Sequence, residues 1–321
     1  MIGEARNKAG SVRARLTRLA RQHERDVDSV FLQYMQERLL FRVGRSRYSS
    51  HFILKGGVFL FALHGFAARP TRDIDFLAHH LSNDEQRIAA AFREIAAITD
   101  DDGVVFDPES VTVERITELA AYPGVSIKLD CSLEQARKRV RVDVGFGDVV
   151  VPKAIQMDFP VLLDGQPPRI WAYSVESVIA EKFEAMLRFS TVNSRMKDFY
   201  DVYWLSLRYD LDGRILQEAI QETLGRRGTP VDKEVAVMSP LFSEDPGRLK
   251  QWSAFLSRIS RTHSGPHLAE VMDRIRHFLG PVFQAICMET EFFGLWISSS
   301  GRWWEAYRGR DAVPGAPLAR R

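Results

Sequence analysis

Asp73-Ile74-Asp75 sets two carboxylates one residue apart in a stretch, Asp73 to Leu77, that reads as a strand. The strand period of two puts Asp73 and Asp75 on one side and Ile74 and Phe76 on the other. Like charges so close repel, so the pair calls for a partner. A divalent cation supplies one. Mg²⁺ is held by one or two carboxylates together with substrate phosphates, and Mn²⁺ shares the taste for oxygen ligands. Upstream, Gly56-Gly57 removes Cβ atoms where backbone must approach something closely. With a helix opening at Val58, its N–H groups face an anion such as a triphosphate. Arg69-Pro70-Thr71-Arg72 makes a basic turn between the two features. The bland alternative is a helix, a turn and a strand with two solvated aspartates.

Other elements must position these groups. Phe52-Ile53-Leu54 is an apolar run ending at Lys55, and Val58 to Leu63 is a second one, stopped by Gly65. Before them, Ser11 to Arg42 reads as one helix capped by Ser11, with Val12, Leu16, Leu19, Val30 and Phe31 on one face. Arg18, Arg21 and Arg25 fall on the opposite face, as a solvated surface or a wall for RNA phosphates. After Leu77, His79-His80 reads as a strand-end pair. Asp84 and its neighbours start a helix through Ile98, and Asp100-Asp101-Asp102-Gly103 turns the chain after it.

Val111 to Ile116, Val125 to Leu129 and Val140 to Val144 each alternate as strands do. They lie too close together for helical crossovers, which predicts a mostly antiparallel or mixed sheet. Gln135 to Arg139 reads as a basic connector. Asp143 points away from Val142 and Val144, toward an open face. Asp148 is a weaker candidate nearby. Pro160 to Leu163 reads as a further strand inside a loop-rich stretch. Ser174 caps a helix whose buried stripe runs Val175, Val178, Ile179, Phe183, Met186, Leu187, and Thr191-Val192-Asn193-Ser194 breaks it. Arg195 to Leu207 is the next helix, with Asp198 and Asp201 on one face. Glu181-Lys182 alone is a solvated ion pair.

Beyond Leu211 come helices over Leu216 to Leu224, Leu249 to Ile259 and Leu268 to Leu279, the last stopped by Gly280-Pro281. They predict a helical lobe without strands. Phe292 to Arg310 interleaves aromatics, Trp296, Trp303 and Trp304 among them, with arginines. Such a segment can stack bases, but packing onto the helical lobe or a partner is the simpler use.

The whole chain excludes several classes. Its 321 residues, 45% hydrophobic and 27% charged, suit one large or two moderate globular domains. A net charge of +2 demands no nucleic acid globally. Two cysteines, Cys131 and Cys287, make no disulfide framework and fit a reducing, cytoplasmic setting. No apolar run nears membrane-spanning length, and the basic N-terminus lacks the apolar core of a secretory signal.

Taken in order, Lys55-Gly56-Gly57, Thr71-Arg72-Asp73-Ile74-Asp75, Asp143, Tyr173-Ser174-Val175-Glu176, Ala180-Glu181-Lys182 and Ser194 to Asp201 resemble the nucleotidyltransferase superfamily. The closer resemblance is to the AbiEii/AbiGii toxin family, which includes the MenT-type toxins. The resemblance implies an α+β fold: a nucleotidyltransferase-type mixed-sheet lobe flanked by helices, with a C-terminal helical lobe. The expected parts are N-terminal helices over 1–50, a catalytic lobe over 51–185, a helical lobe over 186–310 and a disordered tail over 311–321.

It also implies Mg²⁺-dependent transfer of a nucleoside monophosphate from an NTP to an acceptor hydroxyl. Asp73, Asp75 and Asp143 would be catalytic and hold the metal, with Lys182 and Asp198 as further catalytic groups. Lys55, Gly56, Gly57, Thr71, Arg72, Arg195 and Lys197 would bind the nucleotide. The implied acceptor is the tRNA 3′ end, which would block translation, and the implied partner is a cognate antitoxin. The same chemistry on a protein or small molecule, or a silent binding module of the same fold, are the alternatives.

Overall fold

The computed structural model describes residues 2–116, 124–189, 194–232, 235–259 and 265–305. The helix break expected at Thr191-Val192-Asn193 lies outside them, as do Tyr307 to Arg310 and the tail after Asp311. The chain divides into two compact units, residues 1–178 with 225–228, and 179–224 with 229–321.

The first unit is built on a mixed sheet of eight strands. They are β1 (Phe52–Lys55), β2 (Asp73–Ala78), β3 (Val104–Phe106), β4 (Thr112–Ile116), β5 (Gly124–Leu133), β6 (Ala136–Phe146), β7 (Ile155–Asp158) and β8 (Arg169–Ala172). Their order is β3-β5-β6-β2-β1-β8-β7, with β4 also paired to β5. β2 runs parallel to β6 and β1 parallel to β8, while the remaining pairs are antiparallel. Along β6 the period of two is clear: Val140, Val142 and Val144 are fully buried, and Arg137, Arg139 and Arg141 are exposed; β5 buries Val125, Ile127 and Leu129 on the same period but Ser126 as well.

Four helices serve this unit: α1 (Ile2–Gln22), α2 (Val27–Arg45), α3 (Gly56–His64) and α4 (Glu85–Ala96). α2 packs on β6, β8 and α4. The single helix expected from Ser11 is therefore two, and Ser11 lies inside α1. The break follows from Asp26, whose carboxylate accepts from the Ser29 N–H at 2.9 Å and starts α2 afresh. Asp102 is more than a turn residue. It is buried, and Arg42 reaches it from α2 with Nη1 at 2.7 Å and Nη2 at 3.3 Å.

Two further expectations on the sheet fail. Arg137 to Arg139 belong to β6, because the β5–β6 hairpin closes on Glu134-Gln135 alone, with Glu134 at φ 55°. The strand after Phe146 is Ile155–Asp158, held against β8, and Pro160 to Leu163 forms none. β3 went unread, since three residues carry too little alternation.

In the second unit, residues after Val178 continue α5 (Val175–Phe189), followed by α6 (Met196–Ser206), α7 (Gly213–Arg227, whose residues from Gly225 on belong to the first unit), α8 (Pro246–Ile259) and α9 (Leu268–Cys287). α9 runs straight through Gly280-Pro281. Proline costs an interior helix about 3 kcal/mol. Burial of Phe278, Leu279, Val282, Phe283 and Ile286 along the same stripe outweighs it. The unit is not purely helical either: β9 (Leu211–Asp212), β10 (Gly294–Ile297) and β11 (Arg302–Glu305) form a small sheet in the order β11-β10-β9.

That sheet packs part of the aromatic segment, while Trp304 stays 63% exposed and Phe293 39%. Trp296 is fully buried, with its ring centroid 4.7 Å from Phe278 and 5.4 Å from Trp303. Its indole N–H donates to Ser206 O at 2.8 Å, which meets the need of a buried indole for an acceptor.

Candidate active site

The first unit gathers the acidic residues by strand register. β2 is central, and its buried Ile74 and Phe76 fix which face Asp73 and Asp75 share. The parallel β2–β6 ladder sets Asp75 beside Asp143 and Asp73 beside Arg141. On the other side, the antiparallel β1–β2 ladder sets Lys55 beside Asp75. Neighbouring strands lie about 4.8 Å apart, so Asp73 and Asp75 share one patch of the open sheet face with Asp143 from far along the chain.

α3 starts at Gly56, directly after β1 and two residues earlier than Val58. Gly56 has φ 67°, and a Cβ there would lie 2.0 Å from Asp75 Oδ2. A Cβ on Gly57 would lie 2.5 Å from Thr71 Oγ1. The close approach that the glycines permit is thus to Asp75 and Thr71. The Asp75 carboxylate lies against the first turn of α3, where backbone N–H groups and the helix dipole favour negative charge.

Arg141 Nε donates to Asp143 Oδ1 at 2.9 Å and to Ser126 Oγ at 2.9 Å. The bond to Asp143 raises the guanidinium's pKa; partial burial opposes this, and the charges of Asp143, Asp73 and Asp75 add to it. Among the described residues, no three His, Cys, Asp or Glu side chains converge as a metal cluster. Asp73 and Asp75 still match the one or two carboxylates that Mg²⁺ takes beside phosphates. Asp143 is turned onto Arg141.

Lys55 Nζ lies 2.8 Å from Asp148 Oδ2 and 5.4 Å from the Tyr173 ring centroid. Arg227 grips the same carboxylate in two-pronged fashion, Nε to Oδ1 and Nη2 to Oδ2, each at 3.0 Å. All three side chains are largely buried. Arg72 is exposed, and its carbonyl accepts from Gln36 Nε2 at 2.7 Å.

The second unit holds its own charged cluster. Lys182, on α5, is buried, with Nζ 3.0 Å from Asp198 Oδ1 and 2.6 Å from Asp201 Oδ2 on α6. The spacing of three puts both carboxylates on one face of α6. Arg195, just before α6, donates Nε to Asp198 Oδ2 at 2.7 Å. Burial alone would raise the Asp198 pKa, but Lys182, Arg195 and Lys197 outweigh it and hold the carboxyl below its usual range. Lys182 is therefore no solvated ion pair. Lys197 stands exposed on α6.

Reading the sequence missed Arg141, Ser126 and Arg227, undervalued Asp148, and left Asp201 outside the cluster proper. Arg141 had a signal, since it shares the outward face of β6 with Asp143. Arg227 had none, because it reaches Asp148 across 79 positions of chain.

The family described as nucleotidyl transferase AbiEii toxin, type IV toxin–antitoxin system, matches residues 38–274. No curated protein matches the chain. Among solved structures, a candidate nucleotidyltransferase from H. pylori is 15% identical, with a TM-score of 0.43, over 80% of this chain and 96% of that one. JHP933 from Helicobacter pylori is 14% identical, with a TM-score of 0.41, over 80% and 92%.

Proposed function

Because this chain belongs to the AbiEii family of nucleotidyl transferase toxins of type IV toxin–antitoxin systems, we propose that it transfers a nucleoside monophosphate from an NTP to the 3′ end of a tRNA and so blocks translation. It is a nucleotidyltransferase, and the family gives it an antitoxin as partner. The observation that supports the site is the register of β2, which sets Asp75 beside Asp143 and against the first turn of α3, with Asp73 two residues away on the same side of the strand. Among the described residues no helix is long and apolar enough to cross a membrane. The cytoplasm, where tRNA and NTPs are found, is the proposed place of action.

In this reading Asp73 and Asp75 hold Mg²⁺, or Mn²⁺, and Asp143 joins them. The bound metal supplies charge neutralisation at the phosphates and a lowered pKa for a bound hydroxyl. Asp143 accepts the proton of the acceptor hydroxyl. That oxygen then bonds to the α-phosphorus, the bond from the α-phosphorus to the bridging oxygen breaks, and pyrophosphate leaves. Backbone N–H groups of the α3 first turn, with Thr71, Arg72 and Lys55, hold phosphate oxygens. For the second unit, the family resemblance supports a separate proposal: Lys182, oriented by Asp198, presents a point charge to an anionic substrate group, and Arg195 and Lys197 add contacts of the same kind.

The test uses purified protein, Mg²⁺ and each α-labelled NTP in turn, with total tRNA or cell protein as acceptor. Label on tRNA that is absent with Asp73→Ala supports the proposal. Label on protein replaces the acceptor. A folded sample that labels nothing refutes the transfer and leaves a binding module.

A further inference from the structure

Arg141 is a fixed positive charge inside the acidic patch. It stands two residues before Asp143 on the same face of β6 and opposite Asp73 in the parallel ladder. Its Nε is shared between Asp143 Oδ1 and Ser126 Oγ, each at 2.9 Å. A carboxylate oxygen that accepts from a guanidinium is already partly neutralised, and a divalent cation arriving at it meets both a rival and a like charge.

We propose that Arg141 is the tethered counter-ion of this site: it neutralises Asp143 when no divalent cation is bound, and it yields that carboxylate when the cation binds. The inference rests on the metal-binding reading of Asp73, Asp75 and Asp143 given above. Two features make the exchange inexpensive. The Arg141 side chain is 46% exposed, so its guanidinium can turn to water. Ser126 also keeps a hydrogen bond on Nε once Asp143 lets go, so the arginine remains oriented. Arg42 shows the contrast: its side chain is 2% exposed and locked to Asp102, and it could not leave its partner without stranding a charge.

A consequence concerns the coupling of cation and nucleotide. With Arg141 in place, the patch of three aspartates carries a net two negative charges rather than three, so a lone cation is held more weakly than by the carboxylates alone. A metal–triphosphate complex brings its own negative charge, and the displaced guanidinium then has an anion to face. Added nucleotide therefore raises the affinity of the site for the cation.

The experiment measures Mn²⁺ binding by the loss of the free-ion electron paramagnetic resonance signal, with and without a non-hydrolysable NTP analogue. The samples are wild type, Arg141→Gln, Arg141→Lys and Asp73→Asn, each checked for folding by thermal unfolding. Arg141→Gln should bind Mn²⁺ without nucleotide about two- to fivefold more tightly, the range expected for a partly exposed ion pair. Arg141→Lys should stay near wild type, and the gain in Mn²⁺ affinity on adding nucleotide should shrink in Arg141→Gln alone. Equal or weaker Mn²⁺ binding by a folded Arg141→Gln overturns the inference. Asp73→Asn binding Mn²⁺ as well as wild type overturns the metal-site reading itself, so the two failures are told apart.

Discussion

Lys182 is the residue whose removal tests the second unit most sharply. Its ammonium is buried between Asp198 and Asp201, at 3.0 Å and 2.6 Å, and Arg195 adds a second positive charge on Asp198 at 2.7 Å. The four named charges balance. Lys182→Met deletes one positive charge and leaves two carboxylates, 1% and 3% exposed, without the ammonium that both contact, while Arg195, 45% exposed, stays on Asp198. Removing one partner of a buried pair typically costs about 3–5 kcal/mol. For a unit of this size that corresponds to a midpoint lowered by about 6–20 °C.

A compensated variant separates structure from chemistry. Lys182→Met with Asp198→Asn and Asp201→Leu removes all the buried charge together, and replacing a whole buried ionic cluster is often neutral. It should recover about half of the lost stability or more. Arg195 loses its bond to the Asp198 carboxylate and, being 45% exposed, can turn to water. On the proposed role of Lys182 toward an anionic substrate, nucleotidyl transfer should be absent from the compensated variant. Thermal and urea unfolding followed by far-UV circular dichroism, with the labelled-NTP assay alongside, give both readouts. A Lys182→Met protein within 0.5 kcal/mol of wild type, as at an ordinary surface site, would refute the burial argument. Wild-type transfer by the folded triple variant would refute the catalytic role.

Gly56→Ala should cost about 1–2 kcal/mol through its left-handed backbone alone and abolish transfer by pushing on the Asp75 carboxylate, whereas Gly57→Ala meets the Thr71 side chain and should retain more activity; equal activities would contradict the geometry. Burial raises the Glu37 pKa from an ordinary 4.5 to about 7, against the opposing charge of Arg38. The folded state then binds more protons than the unfolded state between those values, so stability should fall as pH rises from about 4.5 to 7 and this contribution should level off above. Urea midpoints across that range should show a smaller fall in Glu37→Gln than in wild type.

The sequence by itself determined the local features. The alternation of Asp73-Ile74-Asp75-Phe76 fixed two carboxylates on one side of a strand, because side-chain direction in a strand follows from the pleat alone. Val142-Asp143-Val144 did the same for the third. The stripe after Ser174 and the spacing of Asp198 and Asp201 were legible for the matching reason in helices, and the ordered blocks from Lys55 to Asp201 led to the family. Where local pattern misled, a local competitor had been overlooked: Asp26 split the first helix, and the buried stripe of α9 carried it through Pro281.

Tertiary structure alone decided who meets whom. Nothing in the local sequence says that Asp75 lies beside Asp143, since that depends on the parallel register of β2 and β6. Nor does it say that Gly56 makes room for Asp75, that Arg141 holds Asp143, or that Arg227 grips Asp148 from far along the chain. Charge pairing is a property of distance, and distances between remote residues are set only when the sheet and helices have packed. The same packing moved Lys182 from the bland reading of a solvated lysine to a buried ion held by two carboxylates.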